Sequence, residues 1–155
     1  MKNRQPTPGT PLTARELQVL AGLARGKDNT VIGQDLGLKR LTIKTHIARI
    51  SRKAQAGHTS GIIGHAYRTG LLRGLAPEPR PPVYLTGRER QVLDGMARGQ
   101  SNAEIGRELF LAEETIKSHA QRLFRKLQAH GRTHAVALGY QHGYLKAPAE
   151  TAGRP

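Results

Sequence analysis

Two short stretches of the chain carry residues whose types and spacing suit contact with a polyanion. Thr42, Lys44, Thr45, His46, Ala48, Arg49, Arg52 and Lys53 form the first. Thr115, Lys117, Ser118, His119, Gln121, Arg122, Arg125 and Lys126 form the second, each 73 residues after its counterpart. In both, the basic and short polar side chains alternate at helical spacing with an apolar stripe. The stripe is Ile43, Ile47, Ile50 and Ala54 in the first stretch, and Ile116, Ala120, Leu123 and Leu127 in the second. A helix with one apolar and one basic face packs on a scaffold and leaves the cations outward. The major groove of a DNA duplex admits one such helix. Lys44 and Lys117 suit guanine acceptors or phosphate, and Gln121 suits a bidentate pair with adenine. Thr45 and Ser118 are short enough for close backbone approach. Arg49, Arg52, Lys53, Arg122, Arg125 and Lys126 suit phosphates, which set affinity and register. Thr42 and Thr115 add a phosphate hydrogen bond beside free N–H groups at the helix start. His46 and His119 suit a phosphate or a packing role.

Other chemistries find little support. The chain has no Cys, which excludes disulfides, Cys-based zinc sites and thiol catalysis. His130 and His134 have metal-like spacing, but no further ligand set accompanies them. No paired carboxylates, nucleophile elbow or phosphate loop is present, so the expectation is a non-enzyme with no cofactor. No segment approaches the ~20 apolar residues of a membrane span, and residues 1–11 hold no apolar signal core. These features point to a cytoplasmic protein without membrane contact. The formal net charge is +14 over 155 residues, a sign and size that gather polyanions.

The elements that must position the two stretches repeat as well. At an offset of 73 residues, roughly 28 of about 61 aligned positions are identical without a gap. Hydrophobic residues make up 37% and aromatics 4%, which suits two small Leu/Ile/Ala cores better than one large core. The expected organisation is all-α: a four-helix unit over 12–72, a Pro-rich semi-rigid linker over 73–84, and a second four-helix unit over 85–145. Residues 1–11 and 147–155 are expected to fray.

Within each unit, Thr13 with Glu16 and Thr86 with Glu89 form capping boxes that start the first helix, and Gly26 and Gly99 stop it. A capping box at Ser101 with Glu104 starts the second helix, and Asp28 starts its counterpart without the Glu. Gly37-Leu38 reads as a turn; Phe110-Leu111 is a less obvious one. A fourth helix is expected over about 62–72 and 133–145. Gly61 and Gly64 should weaken it in the first unit, at up to ~1 kcal/mol each.

Together these motifs resemble the LuxR-type, or GerE-type, DNA-binding domain, present twice. The resemblance rests on Leu85-Thr86 with Glu89, Ala97-Arg98-Gly99, Ser101-Asn102-Ala103-Glu104-Ile105, Thr115-Ile116-Lys117-Ser118-His119, Arg125-Lys126-Leu127 and Arg132-Thr133-His134-Ala135. The first unit carries the same pattern with gaps, and about four-fifths of the chain is covered. It implies a helix-turn-helix module whose third helix reads the major groove, and whose fourth pairs with itself or with another regulator. Three departures stand out. Lys39 and Ala112 replace the usual Ser cap before the third helix. Ala54 stands where Leu is usual. Thr59-Ser60 replaces Arg-Thr. No receiver, ligand-binding or ATPase domain is read beside the pair. The expected function is a transcriptional regulator reading adjacent half-sites of double-stranded DNA. The competing expectation is an interaction protein that pairs with a full-length LuxR-type regulator, or with RNA polymerase, and modulates it.

Overall fold

The computed structural model describes residues 7–147. Among them are eight helices and no strand: α1 (Ala14–Ala24), α2 (Asn29–Leu36), α3 (Arg40–Ala54), α4 (Thr59–Arg68), α5 (Gly87–Ala97), α6 (Asn102–Leu109), α7 (Glu113–Leu127) and α8 (Arg132–Gln141). The all-α expectation holds. Helix starts follow their caps. Thr13, Thr86 and Ser101 each accept from the backbone N–H three residues on, and the paired glutamate reaches back to the cap N–H. Asp28 caps α2 by accepting from the Val31 N–H at 2.9 Å. Lys39 and Ala112 supply no side-chain cap to α3 and α7.

The fourth helices lie earlier than periodicity suggests. They start at Thr59 and Arg132 and end at Arg68 and Gln141. Gly70 and Gly143, at φ 79° and 78°, turn the chain at each end, so Leu72 and Leu145 reach the core from outside the helix. The less obvious turn expected at Phe110-Leu111 is present before α7. Phe110 sits left-handed at φ 57° and is 94% exposed, in the place that Gly37 takes at φ 67° before α3. L-residues enter that region at a cost of roughly 1–2 kcal/mol.

The two four-helix sets do not hang on a free linker. Their buried side chains form one continuous core, in which Ile62 and Ile63 of α4 lie with Ala135 to Leu138 of α8. α4 packs on α8 and on α5, and α8 packs reciprocally on α1. Contacts repeat across the interface at the 73-residue offset. Tyr67 stacks on its own counterpart Tyr140, with centroids 5.0 Å apart. The Gln141 amide donates to the Tyr67 hydroxyl at 2.9 Å, while Arg68, the counterpart of Gln141, donates to the Tyr140 hydroxyl at 3.3 Å. Gly61 meets Gly99, and His134 meets Gly26. Exchange of roles in this way is the signature of an isologous interface, here between two halves of one chain, with the tyrosine pair on its approximate twofold axis.

Gly61 and Gly64 accordingly serve close approach. A Cβ at Gly61 would lie 2.8 Å from the Gly99 Cα, and one at Gly64 would run into the Ala97 carbonyl oxygen. The helix weakness read from sequence is offset by tight packing of α4 on the end of α5.

The linker is docked. Glu78 accepts a hydrogen bond from buried His134 at 2.7 Å, and its own N–H donates to Gln141 at 2.9 Å. The Arg25 guanidinium donates to the Ala76 carbonyl at 2.7 Å, and Val83 binds the Tyr144 hydroxyl through both its N–H and its carbonyl. The described part of the N-terminal segment is tied down too, since the Gly9 N–H donates to the Lys53 carbonyl at 3.1 Å. Of the expected frayed ends, residues 1–6 and 148–155 lie outside the described residues.

Candidate nucleic-acid interface

α3 and α7 are the second helices of the two helix-turn-helix pairs. α3 packs on α1, α2 and α4, and α7 packs on α5, α6 and α8. Their apolar stripes face inward: Ile43 and Ile50 are buried, as are Ile116, Ala120, Leu123 and Leu127, while Ile47 and Ala54 are half-buried. That packing fixes which residues look out. Lys44, Thr45, Ala48 and Arg52 are exposed on α3, and Thr115, Lys117, Ser118, Gln121, Arg122 and Arg125 on α7. Thr42, Arg49, His46 and His119 are half-buried. Thr45 and Ser118 donate to the carbonyls of Leu41 and Glu114 one turn back, at 3.2 and 3.1 Å. Their hydroxyls therefore keep free lone pairs, which suit a donor better than a phosphate oxygen. His46 keeps its Nδ1 buried without a hydrogen-bond partner.

Lys53 and Lys126 have partners within the fold. The Lys53 ammonium lies 2.7 Å from Glu16 Oε2 and 3.1 Å from the Pro11 carbonyl, and its side chain is 7% exposed. The Lys126 ammonium repeats this with Glu89 at 2.7 Å and the Tyr84 carbonyl at 3.0 Å, and is more accessible. Each ties the end of the outward-facing helix to the capping glutamate of the first helix in its unit. Both ammonium groups are thus engaged inside their units, Lys53 nearly buried and Lys126 about a third exposed. The signal in the sequence was the recurrence of the whole pair, Glu16 with Lys53 and Glu89 with Lys126. Burial pushes the Glu89 carboxyl up, but the Lys126 hydrogen bond, the Thr86 N–H and the nearby charges together bring it below the usual range.

The two outward faces differ most at their starts. Lys39 and Arg40 are exposed at the N-terminus of α3, beside Leu41 at 74% exposure. Sequence reasoning did not single out Arg40. The matching positions before and in α7 are Ala112, Glu113 and Glu114. A helix N-terminus favours anions. At α7 two carboxylates already occupy that region, whereas at α3 it is left to cations that suit phosphate. Over 12–72 there are ten basic and three acidic side chains, and over 85–145 nine and six, giving about +7 and about +3.

His130 and His134 make a packing device. Their rings stack with centroids 5.1 Å apart, and the His130 N–H donates to His134 Nδ1 at 3.1 Å. That leaves Nε2 to carry the proton toward Glu78. Burial lowers the His134 pKa more than Glu78 raises it. Among the described residues, no three His, Asp or Glu side chains are grouped to hold a metal ion. Among them, too, no helix is long and apolar enough to cross a membrane.

A family model for bacterial regulatory proteins, luxR family, matches residues 10–66 and again 83–138. The chain belongs to the luxR family. Similar curated luxR-type relatives include the transcriptional activator protein BjaR1 of Bradyrhizobium diazoefficiens, 37% identical over 97 residues, covering 63% of this chain and 39% of that protein. A nitrate/nitrite response regulator protein homolog of Haemophilus influenzae is 44% identical over 71 residues, covering 46% and 34%. A probable transcriptional regulatory protein NarL of Mycobacterium tuberculosis is 47% identical over 73 residues, covering 43% and 33%. The chain thus spans about a third to two-fifths of the length of these relatives. The luxR-family relatives are regulators rather than enzymes. No solved structure matches the chain.

Proposed function

We propose that this luxR-family chain is a cytoplasmic transcriptional regulator that binds double-stranded DNA sequence-specifically, with α3 and α7 each entering a major groove. The observation that carries this reading is the pair of outward basic faces, each rigidly backed by its unit and related across the Tyr67–Tyr140 contact. An approximate twofold between the units supports α3 and α7 meeting a duplex in opposite senses, which favours inverted half-sites. Major grooves one turn apart are separated by ~34–36 Å along one side of a duplex. Ala48 opposes Gln121, and Arg40 opposes Glu113, so the half-sites are unlike. Covalent linkage then replaces dimerisation.

The competing reading, a partner that blocks another regulator through its fourth helix, is weakened because α4 and α8 already cover one another. A promoter-complex pull-down addresses contact with RNA polymerase. Selection of bound sequences from a random duplex library tests the main reading. Two unlike, inverted half-sites about 10 bp apart are expected. A perfectly symmetric site, a direct repeat or no enrichment would overturn it.

A further inference from the structure

The repeat allows one unit to serve as a measure of what the other lacks. In the second unit, the place between the end of α7, α8 and the segment before α5 is filled. Leu127 and Leu138 are buried there, and the Tyr144 phenol packs against the core with its hydroxyl held by both backbone groups of Val83. At the matching chain positions the first unit has Ala54, His65 and Leu71, and the counterpart of Val83 is Thr10. An isobutyl group has shrunk to a methyl, an aliphatic side chain has become an imidazole, and the phenol is gone, with Leu71 left 40% exposed.

A cavity of about 190 Å³ opens there, lined by Thr10, Ile50, Ala54, Ile62, His65 and Leu71 among others. An apolar cavity of ~150 Å³ suffices for benzene. The wall is mostly apolar. Thr10, Lys53, His65 and Thr69 are its polar members. The His65 ring makes no hydrogen bond among the described residues, and burial, with the Arg68 charge second, lowers its pKa. It is therefore held as a neutral imidazole, able to donate or accept one hydrogen bond. The Lys53 ammonium on the same wall is already committed to Glu16.

We propose that this cavity is a binding site for a small monocyclic molecule of the phenol class. The ring takes the space of the missing Leu and Tyr side chains, and one polar group faces His65. The site lies between the C-terminal end of α3 and α4, so its occupant touches both the helix proposed to read DNA and the helix that joins the two units.

The probe is 4-methylphenol, the free form of the side chain that the second unit supplies for itself. It is titrated into the full chain and followed by amide NMR. Saturable shifts centred on Ile50, Ala54, Ile62 and Ala66 are expected at millimolar concentration or below. Ala54→Leu restores the group present in the second unit, and should raise the melting temperature while weakening the phenol at least ~10-fold, by occupying its space. Non-saturable or scattered shifts in the parent chain would overturn the proposal, as would equal binding by Ala54→Leu. A less stable Ala54→Leu protein would show that there is no room for the added carbons, which also overturns it. Binding is read without DNA, so its outcome is independent of the duplex reading.

Discussion

Lys44 and Lys53 lie on the same helix with opposite surroundings, one exposed and one held between Glu16 and the Pro11 carbonyl. The double change Lys44→Ala with Lys117→Ala should leave folding stability within ~0.5 kcal/mol, as surface substitutions do. It should cost specific binding roughly 1–3 kcal/mol per site. Lys53→Met should do the reverse to the fold, because it leaves the Glu16 carboxylate buried and unpaired; breaking a buried pair costs roughly 3–5 kcal/mol. Urea denaturation beside a duplex-binding titration separates the two. If both variants lost only DNA affinity, Lys53 would belong with the phosphate contacts after all. The exposed stripe was legible from sequence because helical spacing fixes which residues oppose Ile43 and Ile50. The role of Lys53 was not, since a lysine at a helix end has the same local pattern whether it meets a phosphate or a carboxylate some forty residues away in the chain.

Helices α1 to α3 and α5 to α7 were legible for local reasons, through capping boxes, the glycine stops and the 3.6-residue stripe. The fourth helices were less so, because their ends and their glycines answer to the other unit. Periodicity carried them to Leu72 and Leu145, past the points where Gly70 and Gly143 turn the chain. Propensity alone favours Gly64→Ala by up to ~1 kcal/mol. Packing predicts the opposite sign, because the added methyl meets the Ala97 carbonyl and must push α4 away from α5. Overpacking of this kind costs roughly 1–3 kcal/mol. A thermal or urea melt decides the sign, and a Gly64→Ala protein as stable as the parent would mean that α4 is not pressed on α5 as described.

At the scale of the whole molecule, the deciding quantity is the distance between α3 and α7, the two helices proposed to read DNA, and three features hold it. These are the shared core of α4 and α8, the stacked tyrosines, and the docked strap in which Glu78 meets His134 and Arg80. The sequence made the linker look like a spacer, because prolines define stiffness but not what a strap lies against. If that spacer set the reach, 12 extended residues at ~3.1 Å each would let the units follow half-sites moved apart. A locked pair cannot follow. In a series of duplexes carrying the selected half-sites, adding about 5 bp rotates one groove to the far side of the helix, and two-site affinity should fall to that of a single half-site, a loss of at least ~10-fold. Adding a full turn should not restore it, since the helices then need twice their separation. The optimal duplex should bind one chain per site, with a midpoint that follows the first power of protein concentration. Equal affinity across the spacer series would mean that the α4–α8 contact opens on DNA and that the strap, not the core, governs the reach.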